Sequence, residues 1–177
     1  MSGLLLNIGS GQRPFPKPWI NVDKQAVWNP DVIWDAGNPM VKCPFDDGSA
    51  STIVLHHVLE HFGCGEASNL LRQCHSLLKS SGLLCVYVPD LRELADMWIE
   101  GLLSDQVYLT NLYGAYMGDE ADRHKWGFTK SSLVATLQAS GFSKVRFLTK
   151  GLRGLRMSLH GADIAEDRWI LGAVACR

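Results

Sequence analysis

The sequence has no C-x-x-C pair, no apolar run of about 18 residues and no excess of either charge, and each absence removes a class of protein. Its five cysteines, Cys43, Cys64, Cys74, Cys85 and Cys176, are odd in number and widely spaced. That fits neither a disulfide framework nor a zinc knuckle and predicts a reducing, cytoplasmic setting. The start Leu4-Leu5-Leu6 lacks a basic flank, so neither a secretion signal nor a membrane partner is expected. Seventeen Lys and Arg against eighteen Asp and Glu leave a formal charge of -1, and no global field draws a nucleic acid. The densest basic cluster, Lys150, Arg153 and Arg156, reads as a solvated face.

What is present is ordinary globular material: 177 residues, 46% hydrophobic and 20% charged, enough for one domain over residues 1–177. Short β-rich runs alternate with stretches whose apolar residues recur every three or four positions, the pattern of βα units. The runs are Leu4 to Ile8, Trp19 to Val22, Val32 to Trp34, Ser51 to Leu55, Leu83 to Val88, Lys144 to Leu148 and Trp169 to Ala175. Helices are predicted over Glu66 to Leu78, stopped by a left-handed cap at Gly82, over Leu91 to Leu103 with Asp90 as N-cap, and over Lys130 to Ala139. Strands joined by helices pair in parallel, which predicts an α/β, Rossmann-like domain: a seven-stranded, mostly parallel sheet with helices on both faces. Between the last two strands the segment Lys150 to Asp167 reads as irregular and too poor in helical period for a crossover, so the final strand is expected to run antiparallel.

Three strand ends carry chemistry. The first runs into Asn7-Ile8-Gly9-Ser10-Gly11, where a backbone without Cβ atoms turns sharply and exposes its N–H groups to a ligand. The second closes on Asp23, placed to accept hydrogen bonds from both hydroxyls of a ribose. The third ends Trp34-Asp35-Ala36-Gly37, with Pro44-Phe45-Asp46-Asp47-Gly48 following.

With these blocks in order, "LNIGSG", "WINVD", "CPFDDGS", "HHVLEHF", "LLKSSGLLCVYVPD" and "HKWGFT", the chain resembles the class I S-adenosylmethionine-dependent methyltransferases, in particular the small methyltransferase-type-11-like proteins. The resemblance runs from about Leu4 to Phe147 and implies S-adenosyl-L-methionine as cofactor. It implies that Gly9, Ser10 and Gly11 lie under the methionine part, that Asp23 binds the ribose, and that Asp35 and the Ala36 N–H meet the adenine. It also implies that His56 and His57 border the methyl group, with Glu60 ordering the cofactor loop.

The sequence departs from that family in two places. Asn7 stands where many members carry an acid, so the cofactor's amino group would meet a hydrogen-bonding side chain without a counter-charge. Only twelve positions separate Gly11 from Asp23, and Pro14, Pro16 and Pro18 fall among them, so the first crossover helix should be missing or cut to a turn.

Rival readings use the same residues. A nicotinamide-binding Rossmann enzyme would need a third glycine where Pro14 stands, and an acid about twenty residues on. His57-Val58-Leu59-Glu60-His61 matches the H-x-x-E-H spacing of zinc hydrolases, but Gly63 and Gly65 interrupt a helix starting at Val58, and no metal ligand is predicted. A catalytically inactive binding protein of the same fold is the remaining alternative.

Methyl transfer from a sulfonium is an in-line displacement, for which the protein supplies proximity, alignment and a desolvated site. Where the acceptor must lose a proton, His57, His61, His124 and Asp90 are the candidate bases. Substrate recognition is expected between Tyr108 and Trp126, a stretch with Tyr113, Tyr116, Met117 and Trp126. A small-molecule or sugar acceptor, methylated at oxygen or nitrogen, is favoured over a protein side chain because the sequence shows no nucleic-acid patch and no appended recognition domain. Nothing in the sequence specifies an oligomeric state.

Overall fold

The computed structural model describes residues 3–115, 120–151, 154–159 and 162–177; Tyr116, Met117 and Arg153 of the sequence reading lie outside them. The chain enters through β1 (Leu4–Ile8), β2 (Ile20–Asp23), β3 (Val32–Ile33) and β4 (Ala50–His56). Helix α1 (Cys64–Leu77) leads into β5 (Leu78–Pro89), followed by α2 (Leu91–Ile99), α3 (Asp105–Tyr113), α4 (Lys130–Ala139) and β6 (Ser143–Phe147). Three short strands come next, β7 (Lys150–Gly151), β8 (Gly154–Leu159) and β9 (Ala162–Glu166), before the last, β10 (Ile170–Cys176).

Seven of these strands form one sheet in the order β3-β2-β1-β4-β5-β10-β6. β1 to β5 pair in parallel, and β10 runs antiparallel to both β5 and β6, as the sequence predicts. The reversal of strand order lies at β1, flanked by β2 on one side and β4 on the other. Ligands of open α/β sheets bind beyond the carboxyl ends at such a point.

Period-two alternation divides the core into two faces. Ile53 and Leu55 of β4, Leu84, Val86 and Val88 of β5, and Leu171, Ala173 and Ala175 of β10 pack with Leu70, Leu71, Cys74 and Leu77 of α1 and Leu133 and Leu137 of α4. Their neighbours in sequence, Val54, Cys85, Tyr87 and Ile170, point the other way and meet Phe15 and Trp19. These two rings pack edge to face at 5.1 Å, and Trp19 is wholly buried. The stretch between β1 and β2, too short and too rich in proline for a helix, covers the sheet with two aromatics instead.

Asn21 pins that stretch. Its Oδ1 accepts from the Phe15 N–H at 2.7 Å and from Asn7 Nδ2 at 2.9 Å, while its Nδ2 donates to the Phe15 carbonyl at 2.9 Å. Buried polar groups of a loop are thus paired by one amide side chain.

Two expectations are corrected. Gly82 does not cap α1 in a left-handed conformation: the helix ends at Leu77, Leu78 is already extended, and residues 78–82 belong to β5. The register jumps there, from Leu78 opposite Ala50 to Leu83 opposite Thr52, and a Cβ at Gly82 would stand 2.9 Å from Leu78 Cδ2. Glycine serves close packing at an irregular strand. Nor is Lys150 to Asp167 irregular, since β7, β8 and β9 form a separate antiparallel sheet. The alternating Leu155, Met157 and Leu159 carry that signal in the sequence.

The predicted helices otherwise form with small shifts of their ends. Asp90 does cap α2, accepting the Arg92 N–H at 3.3 Å. That helix closes at Ile99, short of Leu103, because the Leu102 N–H returns to the Met97 carbonyl at 2.9 Å.

Candidate functional site

At the carboxyl ends of β1 to β4 opens a cavity of about 650 Å³, a size suited to a nucleotide-like ligand. Gly9 and Gly11 enter its wall from the first strand end, Asp23 from the second, Asp35 and Ala36 from the third and His57 from the fourth. The alignment predicted for three strand ends therefore extends to four.

The glycine loop is braced on β2, since the Val22 carbonyl accepts the N–H groups of Gly9 at 2.7 Å and Ser10 at 3.1 Å. Gly9 has φ +73°, and a Cβ there would lie 2.5 Å from Val58 Cγ2, so both backbone and packing require glycine. Asp23 closes the loop from the other side. Its Oδ2 accepts the Gly11 N–H and its Oδ1 the Gln25 N–H, each at 2.8 Å. A carboxylate has about four acceptor positions, so about two remain for a ligand's hydroxyls.

Of the other residues singled out in the sequence, His61 also lines the cavity, whereas Asn7, Ser10, His56, Asp90 and His124 fall outside its lining. Asn7 is buried, and its amide donates to Asn21 and, at 3.4 Å, to the Arg13 carbonyl. Ser10 is buried beneath the loop. His56 packs edge to face on Tyr87 at 5.3 Å. Asp90 is buried as a helix cap. Of the recognition stretch, Tyr113 and Trp126 are exposed rather than core, while Ala121, Asp122 and Lys125 reach the wall.

Sequence reasoning missed several wall residues, among them Gln25, Trp28 and Asn69. Trp28 comes from a 3-10 turn at Ala26–Trp28, which carries no strand or helix period to mark it.

His57 leaves β4 at φ +57°, and its Nδ1 lies 3.2 Å from Glu60 Oε1. Glu60 is 1% exposed. Burial works to raise its carboxyl, but the hydrogen bond from His57 and the nearby charges of His57, His61 and His124 prevail and hold it below the ordinary range. An ionised carboxylate only accepts, so His57 Nδ1 carries the proton. Glu60 Oε2 is buried with no hydrogen-bond partner among the described residues.

The H-x-x-E-H pattern does not make a helical zinc motif, because Leu59–His61 is a 3-10 turn and α1 begins only at Cys64. A different histidine meets Glu60 and His61. The Glu60 carbonyl accepts the N–H groups of Lys125 at 2.8 Å and Trp126 at 3.1 Å, which draws His124 against this turn. The His61 and His124 rings stand 4.9 Å apart, edge to face. Burial pulls the His124 imidazole below its ordinary value, against the opposing pull of Glu60.

Residues 18–86 match the family model described as a methyltransferase domain. No curated protein sequence matches the chain. Among solved structures, an S-adenosylmethionine-dependent methyltransferase of Archaeoglobus fulgidus superposes with a TM-score of 0.64 at 16% identity, over 99% of this chain and 86% of that one. A Thermotoga maritima S-adenosylmethionine-dependent methyltransferase, described as a possible histamine N-methyltransferase, gives 0.62 at 16% identity, over 99% and 83%. The Burkholderia thailandensis 1,6-didemethyltoxoflavin-N1-methyltransferase, solved with that compound and S-adenosylhomocysteine, gives 0.55 at 16% identity, over 99% and 71%. The signature over residues 18–86 is that of a methyltransferase domain, and the fold of the whole chain is the Rossmann-like fold of class I S-adenosylmethionine-dependent methyltransferases.

Proposed function

We propose that the cavity at the strand ends holds the cofactor and that the enzyme methylates a small-molecule or sugar acceptor at oxygen or nitrogen. The observation that carries this reading is the convergence of Gly9, Gly11, Asp23, Asp35, Ala36 and His57 on one cavity wall. The donor set fits the group: glycine main chain for close approach, a half-satisfied carboxylate for the ribose, and the indoles of Trp28 and Trp34 as flat apolar surface for a purine. Asp35 and Ala36 would meet the adenine edge. Gln73 of α1 holds the Ala36 carbonyl at 3.0 Å and so steadies that turn.

When bound, S-adenosylmethionine supplies an electrophilic methyl group on a sulfonium. The chain's contribution is position. Gly9 and Gly11 keep the wall clear of side chains, Asp23 orients the sugar, and Leu70 and Phe62 help exclude water. His57 is the residue we place beside the transferred methyl. With Nδ1–H held by Glu60, Nε2 is the nitrogen that would take a proton, in the ring's neutral form, from an acceptor that must lose one. Asp90 and His124 stand outside the wall, so we assign neither as the base.

A small acceptor is supported by the small molecule bound in the Burkholderia enzyme and by the absence of a global positive field here. A panel of hydroxyl, amine and sugar acceptors, followed as S-adenosylhomocysteine formation, tests the assignment. Turnover of at least one small acceptor is expected; methylation confined to protein or nucleic acid would overturn it.

A further inference from the structure

Glu60, His61 and His124 present one ligand atom each, all within 4.8 Å of one another. Two further features of this cluster point to an occupant. The first is the orphaned Glu60 Oε2, a buried carboxylate oxygen with no partner among the described residues. Leaving such an oxygen unmatched is costly, and buried charges are normally paired or bound to a metal. The second is the state of the histidines. His61 Nδ1 lies 3.1 Å from the Arg123 carbonyl, and His124 Nδ1 lies 2.8 Å from the Asn111 carbonyl. A carbonyl only accepts, so each Nδ1 carries its proton, and Nε2 is the nitrogen left to bind a metal ion once its own proton is displaced. Backbone carbonyls holding the far nitrogen are the usual device that orients a metal-binding imidazole.

We propose that Glu60, His61 and His124 bind one divalent transition-metal ion beside the cofactor cavity. Two imidazoles and one carboxylate suit Zn²⁺, Co²⁺, Fe²⁺ or Ni²⁺ better than Mg²⁺ or Ca²⁺. Ligand atoms about 2.1 Å from a tetrahedral ion are about 3.4 Å apart, so the cluster needs only modest closure of exposed-edge side chains. His61 lines the cavity, and three protein donors leave a coordination position for water or an acceptor oxygen. The role towards an acceptor rests on the cavity assignment above; ion binding itself does not. His57 hydrogen-bonds the same carboxylate through its other oxygen, which makes it a positioning residue for this centre.

The test uses full-length protein stripped with a chelator and titrated with Co²⁺ in the absence of cofactor. One equivalent should produce the visible absorption of a low-coordinate nitrogen and oxygen site, and Zn²⁺ should bleach it. His124→Ala and His61→Gln should each weaken Co²⁺ binding at least about tenfold, while His75→Gln, on α1 and outside the cluster, should leave it unchanged. Circular dichroism checks folding, and the two histidine variants read the site independently if either one misfolds. Lack of a stoichiometric band in the wild type, or equal affinity in the wild type and both cluster variants, would overturn the proposal. S-adenosylhomocysteine binding by the same stripped protein is scored separately, so failure of the metal site and failure of the cavity assignment give different results.

Discussion

Single residues at this site carry two duties at once. Asp23 both fastens the glycine loop through the Gly11 N–H and offers its remaining oxygen positions to the cavity. Gly9 both turns the chain and makes room for Val58. Gly9→Ala should cost about 2–4 kcal/mol, combining a left-handed backbone with overpacking, as read by urea unfolding. Adding Val58→Ala should return part of that loss by removing the clash, and strict additivity of the two changes would contradict the packing account. The cysteines offer a second reading of burial. Burial pushes the Cys74 and Cys85 thiols up to about 12, whereas Cys64 is exposed. In native protein at pH 8, Cys64 should react with a thiol reagent first and the buried pair only on unfolding, with mass spectrometry locating the label. Fast labelling of Cys85 would contradict the packing of β5. Asp23 and the loop glycines were legible in the sequence because strand ends are marked by order along the chain. Trp28 was not, since a turn alone decides where its side chain arrives.

At the scale of elements, the missing first helix is the main departure, and its substitute is an aromatic pair held by Asn21. Trp19→Ala should therefore destabilise the protein by about 3–5 kcal/mol, a large drop in denaturant midpoint for a residue in a loop. A loss below about 1 kcal/mol would mean that the loop does not cover the sheet. Thr129, whose Oγ1 accepts the Ser132 N–H at 3.3 Å, caps α4, and Thr129→Ala should cost about 1 kcal/mol in the same assay. Prolines made the absence of the helix readable, and the apolar period marked α1, α2 and α4. Helix α3 escaped notice because it has no buried residue, and therefore no stripe, to betray it. The second sheet escaped for another reason: its strands are short and bounded by glycine, and attention to crossover helices hid their period of two.

For the whole molecule, the sheet order brings four strand ends to one rim, and that rim is where sequence and structure agree most closely. His124 shows the limit of sequence spacing, since it reaches Glu60 only because backbone hydrogen bonds from Lys125 and Trp126 tie two distant segments together. No helix of the described residues is long and apolar enough to cross a membrane. The central claim is that the rim cavity binds the cofactor through Asp23. Calorimetric titration of S-adenosylhomocysteine into wild-type protein and Asp23→Asn tests it most directly, because the amide keeps the shape of the side chain while removing its charge. The wild type should bind one equivalent, and the variant should bind about 10–100-fold more weakly, the loss expected for hydrogen bonds to a charged group. Equal affinity in the two proteins would contradict the account.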